Sequence, residues 1–233
     1  MATALVSGGK DSIYAAHLCD TQGWPVEELV TIRPSDPESM MFHTPNLELV
    51  ELQASAWGKR HRTVRTQGND PAAEQRALVE ALSGGTGPVV AGAIESSYQW
   101  ARLLRAGDAT HRRIFTPLWR KDPGRVVREE ISAGLDIRFV HLAAEPLPPD
   151  LLGGRLDLAA LRTLEQTRTD RSGVHVAGEG GEYETLVVDA PFFRKRLVLD
   201  RTQTTRTAST ARLDVLAAHL DDRSSASGRE RAP

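Results

Sequence analysis

With 233 residues, 40% apolar and 26% charged, the chain is long enough for one sizeable globular domain or a domain with a smaller companion. A formal net charge of −2 excludes a globally basic nucleic-acid binder, and a lone cysteine, Cys19, excludes an intrachain disulfide framework or a thiolate zinc site. No stretch has the apolar length of a membrane span and the N-terminus lacks a signal-peptide pattern, so the expectation is a cytoplasmic protein.

Taken in order, Ala4-Leu5-Val6 predicts a strand, followed by a glycine turn and a helix from Ile13. Val26 to Ile32 reads as a second strand, leading into a polar loop through Pro34 and Pro37. Asn46 is an N-cap type opening a helix to Trp57. Thr63 to Thr66 is a short strand, and a helix starting at Pro71 is closed by Gly84-Gly85. Val89-Val90-Ala91 predicts a buried strand, Ser97 to Arg105 a helix, and Ile114-Phe115 another strand. Strands alternating with helices argue for an α/β fold with a parallel sheet covered on both faces over 1–122. Ligands in such sheets bind beyond the carboxyl ends of the strands, which selects the 7–12, 33–46, 93–98 and 117–122 segments.

The pattern changes after Pro123. A helix from Gly124 to Ala133, a strand Ile137 to Val140 and a helix Leu156 to Thr167 come first. Strands at Val174 to Ala177, Thr185 to Val188 and Arg196 to Asp200 follow, giving a smaller α+β domain over 123–201. The tail, 202–233, reads as a weak helix from Leu213 to Leu220 and a disordered end.

Two stretches carry chemistry. In Ser7-Gly8-Gly9-Lys10-Asp11-Ser12, glycines let the backbone approach an anion at a helix N-terminus. Ser7 and Ser12 add hydroxyls, Lys10 a mobile positive charge, and Asp11 a carboxylate that suits magnesium or orients the loop. Spacing excludes the Walker loop, since Ala4 stands where its first glycine belongs and Asp11 follows Lys10, and excludes the dinucleotide G-x-G-x-x-G. The loop resembles the pyrophosphate-binding loop of the ATP pyrophosphatases. The second stretch, Gly178 to Thr185, holds Glu179, Glu182 and Glu184 on a backbone loosened by Gly178, Gly180 and Gly181. Such an arrangement is costly unless a cation or donors compensate it.

These two stretches, with Met41 to Asn46, Gly92-Ala93-Ile94, Ser97-Tyr98-Gln99, Arg102, Pro117-Leu118-Trp119 and Asp122, resemble the diphthine–ammonia ligases, or diphthamide synthetases, from residue 3 to 200. The resemblance implies a HUP-type, Rossmann-like nucleotide-binding domain in the adenine nucleotide alpha hydrolase-like superfamily. It also implies ATP-dependent amidation of diphthine on translation elongation factor 2, through an acyl-adenylate attacked by ammonia, with magnesium as cofactor. Ser7 to Ser12, His43 and Thr44 would bind ATP; Tyr98, Gln99, Arg102, Trp119, Gly180 and Gly181 the substrate; Lys10, Asp11, Glu179, Glu182 and Glu184 would carry the chemistry. Asp11 is the metal candidate. Trp119 could face a trimethylammonium group. Nucleic acid and membrane are not expected partners, and the oligomeric state, a homodimer included, is left open by the sequence. Departures from the family pattern, at Glu95, Trp100 and Leu104, touch the substrate edge and not the phosphate loop. The alternatives are an ATP pyrophosphatase acting on tRNA or on a small carboxylic acid, and a nucleotide-binding regulator without turnover.

Overall fold

The computed structural model describes residues 1–35, 46–68, 70–143, 147–167 and 174–222. In the first half, β1 (Ala2–Leu5), β2 (Val26–Arg33), β3 (Arg60–Arg65), β4 (Val89–Val90) and β5 (Ile114–Phe115) form one parallel sheet in the order β3-β2-β1-β4-β5. Between them run α1 (Lys10–Thr21), α2 (Val50–Trp57), α3 (Pro71–Leu82) and α4 (Ser97–Thr110). The parallel sheet expected from the alternation is present, and its arrangement is Rossmann-like, as the resemblance implies. Its order reverses between β1 and β4, so the crevice outside their carboxyl ends is the natural ligand position.

Then come α5 (Pro123–Ser132), β6 (Asp136–Leu142), α6 (Leu158–Thr167), β7 (Tyr183–Asp189), β8 (Lys195–Arg206) and β9 (Ala211–Asp222). The four strands form an antiparallel sheet in the order β7-β6-β9-β8. Helix starts follow local chemistry: Asp70 and Asp122 each precede a proline and accept a backbone N–H at 2.7 and 2.8 Å.

Three expectations fail here. The predicted helix Leu213 to Leu220 lies within strand β9, in register with β8 from Lys195↔Asp222 to Arg206↔Ala211. Ala211, Leu213 and Val215 are buried in alternation, a period of two that the strand pairing imposes over the weak helical spacing. The tail is therefore strand through Asp222, and its predicted disordered end lies almost wholly outside the described residues. Val174 to Ala177, though buried, is not a strand. The carbonyls of Val176 and Ala177, which a ladder would use, accept from the Tyr183 hydroxyl at 2.6 Å and Lys10 Nζ at 2.8 Å. Asn46 does not cap a helix by its side chain; it sits at φ 58° before a 3-10 turn, Leu47–Leu49, that leads into α2. Its amide reaches β9 instead, donating to the Leu213 carbonyl at 3.1 Å and accepting from the Val215 N–H at 2.9 Å.

The larger apolar core runs through both sheets, joining Ile13, Leu29, Val50 and Trp57 to Ile137, Phe139, Leu186 and Phe193. A second core lies under α3 and α4, with Val30, Leu78, Leu82 and Leu103. The apolar run after the acidic loop is explained by this packing. Phe192 stacks on His17 at 4.0 Å and meets Trp57 at 4.6 Å, wedging the end of β7 against α1 and α2.

Candidate active site

Buried β1 delivers Ser7-Gly8-Gly9 to the crevice, and α1 begins at Lys10. Gly9 occupies the N-cap position without a side-chain cap, so the first turn offers its N–H groups outward. The Gly9, Asp11 and Ser12 N–H groups have no acceptor among the described residues. Ser12 Oγ accepts from the Ser7 N–H at 3.2 Å and donates to the Gly9 carbonyl at 3.0 Å, closing the loop on itself. Gly8 takes φ +85°. Gly92, at the end of β4, allows the loop's close approach: a Cβ there would lie 2.7 Å from backbone atoms of Asp11 and Ser12.

Lys10 is not the mobile charge expected from its sequence context. It is 1% exposed, and Nζ donates to both Asp11 oxygens, at 2.7 and 2.8 Å, and to the Ala177 carbonyl. Burial alone would lower its pKa, but the Asp11 carboxylate that its ammonium grips outweighs that and holds Lys10 well above its usual range. Glu130, on α5, is fully buried 3.9 Å from Lys10 Nζ, where its carboxyl also faces the Asp11 carboxylate. Its carboxyl is pushed well above the carboxylate range, chiefly by burial and against the pull of Lys10.

The acidic loop is compensated by backbone donors. Glu179 accepts from the N–H groups of Ile94, Glu95 and Ser96 at 2.7, 2.7 and 2.9 Å, tying the loop to the start of α4. Glu182 accepts from the His175 and Gly180 N–H groups, both at 2.9 Å, and so shapes its own turn. His175 also bridges to Glu95, with Nε2 and Oε2 3.0 Å apart. Glu184 lines a small cavity of about 70 Å³ beside Ser7, Lys10, Asp11 and Thr185. A neighbouring cavity of about 180 Å³ opens between Asp11, Ser12, Ile32, Gly92, Gln99 and Glu179.

The structure thus brings together the 7–12 loop, Gln99, Gly178 and Glu179 around one cavity, with Lys10 and Glu184 at the next. Arg102 instead lies over the Tyr98 ring at 4.1 Å and donates to its hydroxyl at 2.6 Å. Trp119 stacks on Trp100 with centroids 5.0 Å apart. Gly180 is exposed beside Glu182, and Gly181 takes φ +82° in the same turn. His43 and Thr44 lie outside the described residues.

Sequence reasoning missed Gln53 and Glu130, each fully buried against this machinery. The signal was present: both interrupt apolar helical stripes, Val50/Ala54/Trp57 and Val126/Val127.

Two domain families match this chain: the diphthamide synthase N-terminal domain over residues 1–109 and the diphthamide synthase C-terminal domain over residues 122–216. A protein named diphthine–ammonia ligase from Danio rerio is 32% identical over 221 residues, covering 86% of each chain. A Homo sapiens protein of the same name is 30% identical over 255 residues, covering 94% of this chain and 92% of its own. A solved structure from Methanocaldococcus jannaschii, titled a predicted subunit of tRNA methyltransferase, aligns at a TM-score of 0.46 and 16% identity. It covers 82% of this chain and 98% of its own, too distant a likeness to bear on function. By both domain matches and by these relatives, the chain belongs to the diphthamide synthase family.

Proposed function

We propose that this chain is an ATP-dependent ligase that amidates diphthine on translation elongation factor 2. A diphthine carboxylate oxygen bonds to the α phosphorus of ATP, the bond to the bridging oxygen breaks, and pyrophosphate leaves. Ammonia then adds to the acyl carbon, a proton is lost, and the carbon–oxygen bond breaks to release AMP and the amide. The observation that carries this reading is the outward Gly9, Asp11 and Ser12 N–H groups beside buried, protonated Lys10, at the crevice where the sheet order reverses.

These donors are fixed before reaction and face an anion without further reorganisation, which is how a site stabilises a leaving pyrophosphate. Lys10 adds positive charge from behind the loop. Gln99 lines the larger cavity and is assigned to the adenylate. Glu184 shares the smaller cavity with Lys10 and Asp11, so the ammonium proton is assigned to it, and Glu179 and Glu182 to holding the loop's shape. Tyr98, held by Arg102, and Trp119, backed by Trp100, are assigned with Gly180 and Gly181 to the rim that meets the protein substrate; an indole face suits a trimethylammonium group.

Among the described residues no group of three His, Cys, Asp or Glu could hold a metal by itself. Asp11, partly exposed in the loop, fits magnesium carried on the nucleotide, an ion that takes one or two carboxylates plus phosphate oxygens. Such an ion, when bound, supplies charge neutralisation at the leaving phosphates. No helix among the described residues is long and apolar enough to cross a membrane, and work on a translation factor would put the protein in the cytoplasm.

The test is release of AMP and pyrophosphate from ATP with magnesium and ammonium, with and without diphthine-bearing elongation factor 2. Dependence on both ammonium and the factor supports the ligase. Release that ignores the factor keeps the ATP chemistry and discards the substrate; ATP binding without release leaves a regulator.

A further inference from the structure

The phosphate loop is held from behind by a residue outside every segment assigned above. Gln53, on α2, is fully buried, and its Nε2 donates to the Gly8 carbonyl at 2.9 Å and to the Val187 carbonyl on β7 at 2.7 Å. The Val187 N–H also donates to the Gly8 carbonyl, at 3.0 Å. One loop oxygen therefore has two donors, one from each half of the chain. Nearby, Thr185 Oγ1 accepts from the Lys10 N–H at 3.2 Å.

The direction of that grip matters. The Gly8–Gly9 peptide is trans, so its carbonyl and N–H point opposite ways. Fixing the Gly8 oxygen toward α2 and β7 turns the Gly9 N–H away from them, and that N–H has no acceptor among the described residues. The Gln53 side chain also leaves no slack. Its Oε1 has no hydrogen-bond partner among the described residues and lies 2.8 Å from where a Cβ on Gly8 would stand. An amide in an otherwise apolar helix stripe, buried with one oxygen unpartnered, is a cost that packing does not repay. What the amide does supply is a donor to the Gly8 and Val187 carbonyls, which an apolar residue there would remove.

We propose that Gln53 is a positioning residue of the anion site: its amide bridges the phosphate loop to β7 and thereby aims the Gly9 N–H at the pyrophosphate end of the nucleotide. The inference rests on the nucleotide reading above and adds a residue and a dependence on the C-terminal half. The site is competent only when β7 is seated, because β7 supplies the second partner of the Gln53 amide.

The test compares inorganic pyrophosphate with AMP as calorimetric titrants of the full chain, unsubstituted and Gln53→Leu. Loss of positioning should weaken pyrophosphate at least about tenfold while leaving AMP within about twofold, since a misdirected donor is lost only where that donor is used. Gln53→Asn, whose shorter amide cannot span both carbonyls, replaces the leucine variant if that one does not fold and should show the same selective loss. Equal weakening of both ligands, or of neither, would overturn the proposal. AMP binding without pyrophosphate binding by the unsubstituted protein would overturn the proposal alone, whereas binding of neither would fail the nucleotide reading and the inference with it.

Discussion

At the scale of single residues, the site depends on close approach and on charge held in place. Gly92 is needed for space, because any Cβ would meet the Asp11 and Ser12 backbone at 2.7 Å. Gly92→Ala must push the loop away from β4 or strain it, which for an overpacked contact costs about 1–3 kcal/mol. The expected outcome is a lowered Tm and a pyrophosphate affinity reduced about tenfold or more, since small misplacement of donors is expensive. Unchanged binding would show the loop to be freer than its packing implies. Glu184→Gln tests the assignment of the ammonium proton. It should raise KM for ammonium or lower kcat by about 10²-fold, leaving ATP affinity within about twofold. A uniform loss of ATP binding would move Glu184 to the nucleotide.

At the scale of elements, α5 matters through Glu130. Burial raises its pKa well above the ordinary value, with Lys10 opposing. Unfolded, the same side chain ionises near about pH 4.3. Between that value and the folded one, the native state keeps a proton that the unfolded state lacks, so stability falls as pH rises, by at most about 1.4 kcal/mol per pH unit. Glu130→Gln cannot ionise and escapes that loss. Thermal unfolding from about pH 4 to pH 8 should therefore show the variant gaining on its parent as pH rises. Parallel curves would mean that Glu130 is ionised against Lys10 in the fold. Lys10 behaves differently: its raised pKa keeps its stabilising charge present below the unfolded value of about 10.4, and the charge is lost only as pH climbs through the higher folded value. The acidic limb of any activity profile is thus not expected to belong to Lys10.

At the scale of the whole molecule, the two sheets share a core and the phosphate loop is strapped to the second one. The terminal hairpin is part of that structure. β9 contributes buried Leu213 and Val215 and receives the Asn46 amide from the start of the α2 segment. A chain ending at Arg206 should lose cooperative unfolding and expose apolar surface, read by calorimetry and dye binding. A truncated chain that melts like its parent would detach β9 from the fold.

The parallel sheet, the helix start at Pro71 and the phosphate loop were legible in the sequence, because each is a local pattern. Apolar periodicity, a proline at the first helical position, and adjacent glycines between a strand and a helix all act over a few residues. The β9 strand and the Val174 to Ala177 turn were not legible, because their backbone partners are β8 in one case and the Tyr183 and Lys10 side chains in the other. By itself, then, the sequence determined the α/β class, the anion loop and the family resemblance. The tertiary structure alone decided that Lys10 is buried against Asp11 and Ala177, that Glu179 holds the Ile94 to Ser96 backbone, and that Gln53 joins Gly8 to Val187. Those pairings satisfy buried charges and amides with partners far along the chain, and only the packed fold says which distant group comes within hydrogen-bond reach.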